Sequence, residues 1–241
     1  MANRPVFVPK TEGPALVEIV NVDFAWSAGL SIVQKQKSIA ALHDSFRQRF
    51  PQARVLEVSS KSAAELGRKL SAFNMGVTSR NGQFISVESL FQSSKVFTSA
   101  TGIQGPFREL MLLSPKEAKQ SELLKNAGQL KHFSYCPSEQ REAEIWALEP
   151  KSAFYDWLYL NALNIVPWKE ELLAYSAFTD IEFNPVRSIN CQAYSVALWC
   201  ALRMRGLVCD AIPPRDAFID LITKFTIHNT SDGDTTTMSL F

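Results

Sequence analysis

SVESLFQSSKVF (Ser86–Phe97) gathers apolar side chains around one carboxylate, one amide and one amine. Ser86 suits a helix N-cap, and the spacing predicts a helix over Ser86–Phe97. On that helix Glu88, Phe91, Gln92 and Lys95 fall at i, i+3, i+4 and i+7 and share one face. Glu88 and Lys95 would stand about 10 Å apart along the axis and point the same way. Apolar residues in the same stripe draw both charges toward the interior or a cleft, where an unpaired amine or carboxylate has a shifted pKa. A partly desolvated lysine is a good imine-forming nucleophile, and a carboxylate beside it can move protons. The plain alternative is a solvated face with an ordinary ion pair, the commoner fate of such charges.

Outward from this segment the chain reads as helices with a few strands. Upstream, LVEIVNVDF (Leu16–Phe24) alternates apolar and polar positions and reads as a strand. SIAALHDSFRQRF (Ser38–Phe50) has helical spacing and stops at Pro51. ARVLEVSS (Ala53–Ser60) is a second strand candidate, followed by a short helix near Ala63–Lys69, and Asn81-Gly82 signals a turn. Downstream, TGIQGP (Thr101–Pro106) breaks the chain. SPKEAK (Ser114–Lys119) is a complete helix start, with Ser114 as cap, Pro115 at the first position and Glu117 closing a capping box. EPKSAFYDWLYLNAL (Glu149–Leu163) reads as a long aromatic helix, and Trp168–Tyr175 as another. FTDIEFNP (Phe178–Pro185) reads as a strand plus turn. INCQAYSVALWCALRMRG (Ile189–Gly206) is an apolar helix closed by Gly206. His228–Met238 is polar and reads as a loose tail. No repeat or flexible linker divides the chain, so the expectation is one α+β domain, mostly helical with a small β-sheet.

Composition bounds the function. The 241 residues are 46% hydrophobic and 20% charged, with Phe 16, Trp 5 and Tyr 5, which excludes a disordered chain. A net charge of +1 excludes a nucleic-acid binder that relies on bulk attraction but not one with a local patch. Residues 1–70 carry ten basic and six acidic side chains, a mild hint of a basic N-terminal face. No stretch reaches the roughly 18 apolar residues that cross a bilayer, and MANRPVFVPKTEGP lacks the apolar core of a secretory signal. A soluble cytoplasmic protein is expected.

Familiar catalytic motifs are missing: no GxSxG, no GxxxxGK and no GxGxxG. His43, His132 and His228 stand beside no obvious nucleophile; His43 reads as a solvated helix residue, His132 as a loop residue and His228 as part of the tail. Cys136, Cys191, Cys200 and Cys209 lack metal-ligand spacing, and the last three sit among apolar residues that suit buried thiols. No metal or cofactor is expected.

LSAFNMGVTSRNGQFISVESLFQSSKVF followed by LSPKEAKQ resembles the NADAR (YbiA-like) superfamily. The matching elements are Leu70-Ser71-Ala72-Phe73, then Val87-Glu88 through Gln92 to Lys95, then Pro115–Lys119. Trp146, Leu172-Leu173 and Ile181-Glu182 follow in the family's order, and the resemblance spans about residues 65–205. Ala72 stands where the family usually has Asn, Val96 intervenes before Phe97, and PVRSINCQA (Pro185–Ala193) replaces the closing Asp-x-x-Trp-Gly. This ending, with LSIVQKQKSIAALH upstream, is similar to the branch associated with DarT-type toxins. The resemblance implies a YbiA-like fold for residues 1–225, with an N-terminal βα extension, a core over about 65–205 and the tail at 226–241.

It also implies a glycosidase of the antitoxin class that removes ADP-ribose from guanine bases of DNA. Lys95 would form the imine, Glu88 would handle protons, and Glu182, read as ending a strand, would be a second carboxylate. Phe73 and Trp146 are candidates for stacking, Phe91 and Gln92 for lining the site, and Ser71 and Asn74 for ribose hydroxyls. Arg187, Asn190 and Gln192, read at a helix start, suit a phosphate. Lys35 and Lys37 suit DNA or the pyrophosphate. Expected partners are ADP-ribosylated DNA or free ADP-ribose and a cognate DarT-type toxin, with no membrane. Two rival readings stay open: a YbiA-like N-glycosidase acting on ribosylaminopyrimidine intermediates of riboflavin synthesis, and a non-catalytic protein that binds ADP-ribose or the toxin.

Overall fold

Val6 and Phe7, consecutive in the first strand, point to opposite faces of a sheet and seed two separate cores. The computed structural model of the chain describes residues 1–79, 81–136 and 142–226; His228 and the expected tail beyond Thr226 lie outside them. Strand β1 (Ala2–Pro9), which the sequence reading passed over, pairs antiparallel with β2 (Val17–Phe24) along its whole length, Val6 opposite Val20. On its other edge β1 meets β10 (Ala177–Thr179), which pairs parallel with β3 (Val55–Glu57). The order is β2-β1-β10-β3.

Helix α1 (Ile32–Arg49) covers one face of this sheet. It starts earlier than the expected Ser38 because the Ser31 hydroxyl accepts the Gln34 N–H at 3.3 Å and caps the first turn. Ile39, Leu42 and Phe46 pack from it against Val6, Val20, Val22 and Phe24. His43 belongs to this buried face rather than to solvent: it is 9% exposed, and its Nε2 lies 2.8 Å from Thr179 Oγ1. The opposite face meets the main core, where Phe7 packs edge-on to Tyr194 at 5.8 Å.

That core is built on α6 (Ala153–Asn164) and α7 (Gln192–Met204). Both are apolar on nearly every side, so they are buried rather than amphipathic. Their few polar groups are paired: Ser195 Oγ donates to Asp156 Oδ1 at 2.6 Å, and Trp199 Nε1 to Asn164 Oδ1 at 3.3 Å. Gly206 closes α7 at φ +67°, a left-handed geometry that a side chain would strain. A two-stranded hairpin, β4 (Gly76–Thr78) and β5 (Phe84–Ser86), turns at Asn81-Gly82 with Gly82 N–H donating to Ser79 O at 3.0 Å.

From β5 the chain passes directly into α3 (Val87–Ser93), capped by Ser86 as expected. The helix does not reach Phe97. Ser93 and Ser94 hydroxyls both turn back onto Leu90 O, at 2.9 and 2.8 Å, beside the Ser94 N–H that closes the last turn at 3.2 Å. The β-branched and aromatic run that follows forms β6 (Lys95–Ser99), central in a second four-stranded sheet of order β7-β6-β8-β9. Its other members are β7 (Gly102–Gln104), β8 (Gln129–Tyr135) and β9 (Glu144–Trp146). His132 is therefore a strand residue opposite Val96. Among the described residues helix outweighs strand, 39% to 22%, so the α+β class holds, with the strands spread over three sheets.

Short helices α2 (Glu65–Lys69), α4 (Pro115–Gln120), α5 (Glu122–Lys125) and α8 (Arg215–Thr223) complete the set, with the Ser114–Glu117 capping box formed on α4. The expected helix at Trp168–Tyr175 is a 3-10 turn over Lys169–Ala174. Cys191 and Cys200 are buried thiols, whereas Cys209 is exposed.

One side chain fastens the site-bearing turn to both α7 and the first sheet. Gln192 Nε2 donates to Val58 O at 2.6 Å, and its Oε1 accepts the Ala72 N–H at 2.8 Å. Replacing Gln192 by Leu orphans two backbone groups, which should cost about 2–4 kcal/mol in urea unfolding. A loss below about 0.5 kcal/mol would show that the clasp is not needed.

Candidate functional site

All seven residues of α3 are buried, so its polar side chains must find partners inside the protein. Glu88, 6% exposed, accepts from Gln92 Nε2 at 2.8 Å, and its backbone N–H donates to Ala72 O at 3.1 Å. The same carboxylate oxygen faces Lys119 Nζ, from α4, at 3.6 Å. Lys119 also lies over the half-buried Phe73 ring, 5.8 Å from its centroid. Gln92 Oε1 is buried and meets no hydrogen-bond donor among the described residues.

Lys95 reaches this cluster from the first position of β6, not from the i+7 position of a helix. Its Nζ stands 5.2 Å from the centroid of Phe91 and makes no hydrogen bond or ion pair among the described residues. Burial lowers its pKa to about 8; Glu88 pulls it up, and Lys119 pushes it further down. Roughly a tenth of the amine is then neutral at pH 7, hundreds of times more than for an ordinary lysine. Phe91 itself is fixed by Phe133 at 5.1 Å and by Tyr155, edge-on at 5.3 Å. The arrangement brings together an amine that is partly neutral at pH 7, a carboxyl group and an unused amide acceptor.

A pair of buried acids, Glu57 and Asp180, lies on β3 and the turn after its neighbour β10. Burial first, then Glu88 and, further down in size, Asp180 hold the Tyr155 phenol well above its usual pKa. Asp180 is 8% exposed and is raised well above the usual carboxylate range by burial and by Glu57. Glu57 accepts from Ser59 Oγ at 2.6 Å, Thr179 Oγ1 at 2.7 Å and Ile181 N at 2.9 Å; burial still pushes it up to about 7. Because Thr179 Oγ1 donates to Glu57, His43 Nε2 is the donor to Thr179. His43 is held down to about 4, chiefly by burial, so it stays neutral at physiological pH.

Several expected site residues lie elsewhere. Glu182 is in the turn after β10, half-exposed, and pairs with Lys35 at 2.9 Å; the acid that shares Tyr155 with Glu88 is Asp180. Lys35 is thereby occupied and also lies 5.2 Å from the Trp26 ring, while Lys37 is exposed on α1. Trp146 is 1% exposed and packs against Phe154 and Trp157 at 5.4 and 5.2 Å, so neither face is open to a base. Of the supposed helix-start set, only Gln192 is in α7, and both ends of its amide are bonded to backbone. Arg187 and Asn190 precede the helix in a loop, with Arg187 exposed. Ser71 is buried, its hydroxyl accepting the Phe73 N–H at 3.4 Å. Asn74 is exposed, donates to Arg68 O at 2.8 Å and faces a separate cavity. Phe73, Glu88, Phe91, Gln92 and Lys95 are the expected residues that the fold brings together. Lys119 was missed as a member, although SPKEAK already marked its place in the chain. Among the described residues no group of three His, Cys, Asp or Glu side chains could hold a metal ion, and no helix is long and apolar enough to cross a membrane.

Small sheets flanked by buried helices in an α+β fold agree with the NADAR class. The chain belongs to the DarT1-associated NADAR antitoxin family, whose sequence model matches residues 2–232. No curated protein matches the chain at a significant level.

The two lysines are electrostatically linked, and the sign can be tested without any substrate. Lys119→Met removes the charge that lowers Lys95, so the Lys95 titration should move upward from about 8, by roughly 0.5–1 unit, and the neutral fraction at pH 7 should fall. NMR titration of isotopically labelled lysine amines measures it. An unchanged or lower midpoint would break the link.

Proposed function

We propose that this antitoxin is a glycosidase that removes ADP-ribose from guanine bases of DNA, reversing the product of a DarT-type toxin, with Lys95 as nucleophile. The family match supports the antitoxin role. The observation that carries the chemistry is Lys95 itself, a buried amine with a pKa of about 8, no ion pair, and a carboxylate close enough to influence it.

The reaction balances as follows. Protonation of the ribose ring oxygen breaks its bond to C1″ and leaves an iminium between C1″ and the guanine amino nitrogen. The neutral Lys95 amine adds to C1″, and a proton passes from Lys95 to the guanine nitrogen. Guanine leaves with its amino group restored, giving a C1″ imine on Lys95. Water adds to that imine, the lysine leaves as amine, and the freed aldehyde recloses to ribose. Glu88 handles protons at C1″, since Gln92 and Lys119 hold its carboxylate in place. The unpartnered Gln92 Oε1 supplies an acceptor for a substrate hydroxyl or amino group. Phe73 offers a half-exposed ring beside Lys119 for stacking.

Single-stranded DNA carrying ADP-ribosyl-guanine should release ADP-ribose, with kcat/KM rising as pH increases toward about 8 and then levelling. The rise follows from the sign of the titration, because only the neutral amine attacks. Borohydride should trap a covalent adduct in the wild type. Lys95→Arg should lower turnover at least 1,000-fold and abolish trapping, since a guanidinium stays protonated. Persistent labelling of the Arg variant would remove Lys95 from this role.

A further inference from the structure

A surface cavity of about 440 Å³ opens beside the site, within the size range of small-ligand pockets. None of Glu88, Phe91, Gln92, Lys95 or Lys119 lines it. The turn Ser71–Met75 connects the two places: Phe73 goes to Lys119, while Asn74 and Met75 face the cavity. Its aromatic walls come from distant parts of the chain, Phe84 at the start of β5 and Trp168 before the 3-10 turn.

Phe84 is 52% exposed, an aromatic side chain left largely in water. The local backbone makes room for it. A Cβ on Gly76 would run into Ile85 O and stand 2.7 Å from Phe84 Cζ, so glycine lets the hairpin strands close up with the Phe84 ring against β4. Arg68 supplies charge at the rim. Its guanidinium donates to the carbonyls of Ser62 and Ala63 at 2.9 and 2.7 Å and makes no ion pair among the described residues. Lys69, by contrast, is paired with Glu65 at 2.7 Å. An exposed ring, a partly buried one lining the same cavity and a guanidinium without an ion pair suit a flat aromatic group that carries a phosphate. A nucleotide of single-stranded nucleic acid has both, and base stacking on such rings tolerates any sequence.

We propose that this cavity binds one unmodified nucleotide of a DNA single strand whose modified guanine is presented to Lys95. The base lies against Trp168 and Phe84, and its phosphate meets Arg68. The proposal rests on the DNA reading for its choice of strand, and the turn Ser71–Met75 sets the step between neighbouring nucleotides.

Two substrates separate this subsite from the hydrolase reading: an ADP-ribosylated guanine mononucleotide, and the same adduct within a single-stranded oligonucleotide. Phe84→Ala, at an exposed position, and Trp168→Ala should each raise KM for the oligonucleotide roughly 5- to 100-fold. Mononucleotide turnover should stay at the wild-type level, which also shows that the variants are folded. Arg68→Gln should reduce the salt slope of oligonucleotide binding by about 0.7. Unchanged oligonucleotide KM in Phe84→Ala, or equal losses on both substrates, overturns the subsite. If the wild type cleaves neither substrate, the hydrolase reading fails instead. Fluorescence anisotropy of an unmodified labelled oligodeoxynucleotide then decides the cavity alone: weaker binding by Phe84→Ala supports it, and equal binding overturns it.

Discussion

A seven-residue helix with no face in water is the constraint on which the site depends. Buried polar groups must be satisfied internally, so Glu88 in α3 draws a donor from its own next turn, Gln92, and a cation from another helix, Lys119. Those partners fix the carboxylate without cancelling its charge, because Lys119 stays half in solvent and stands back at 3.6 Å. An exposed partner at that distance is screened and contributes little stability. Its value here is orientation and field. With Glu88 already engaged by Gln92 and Lys119, Lys95 is left without a partner of its own, and desolvation dominates its proton affinity.

The end of α3 matters as much as its burial. The helix closes at Ser94, whose N–H and hydroxyl both bond Leu90 O, and the chain enters β6 at Lys95. A strand between β7 and β8 is held on both edges, so the base of the Lys95 side chain has little freedom. Phe91, the last aromatic of the helix, then lies under the amine. Its ring face is electron-rich and offers a weak attraction to the protonated amine without an ion pair's large pKa increase. The junction therefore delivers a positioned amine that ionises near neutral pH.

Much of this was legible in the chain. Glu88, Phe91, Gln92 and Lys95 were singled out by spacing, Ser86 and Ser114 by capping chemistry, and α7 by its apolar run and closing glycine. Periodicity failed at Lys95 because Ser93, Ser94 and Lys95 carry no strong local preference, and the pairing of β6 with β7 and β8 that makes the strand is tertiary. β1 was illegible because prolines at Pro5 and Pro9 flank an apolar triplet; paired to β2 and joined to β10 only near Phe7, the strand tolerates both. Trp146 shows the opposite failure. An aromatic at a family position suggests stacking, yet packing with Phe154 and Trp157 makes it core. Glu57 and Asp180 gave no signal at all, since nothing in either local segment shows that β3 and β10 lie side by side.

That parallel pairing also explains how the N-terminal layer reaches the site. Ile181 N–H and the Thr179 hydroxyl, flanking Asp180, bind Glu57, and His43 of α1 donates to the same threonine. Two neighbouring acids in low dielectric cannot both ionise cheaply, so a proton held between Glu57 and Asp180 relieves their repulsion. Asp180 adds to the field at Tyr155, and Tyr155 packs on Phe91 beneath Lys95. The first sheet and α1 therefore do more than cover apolar surface. They also hold a pair of buried acids, Glu57 and Asp180, both raised by desolvation, behind the aromatic layer that supports Lys95.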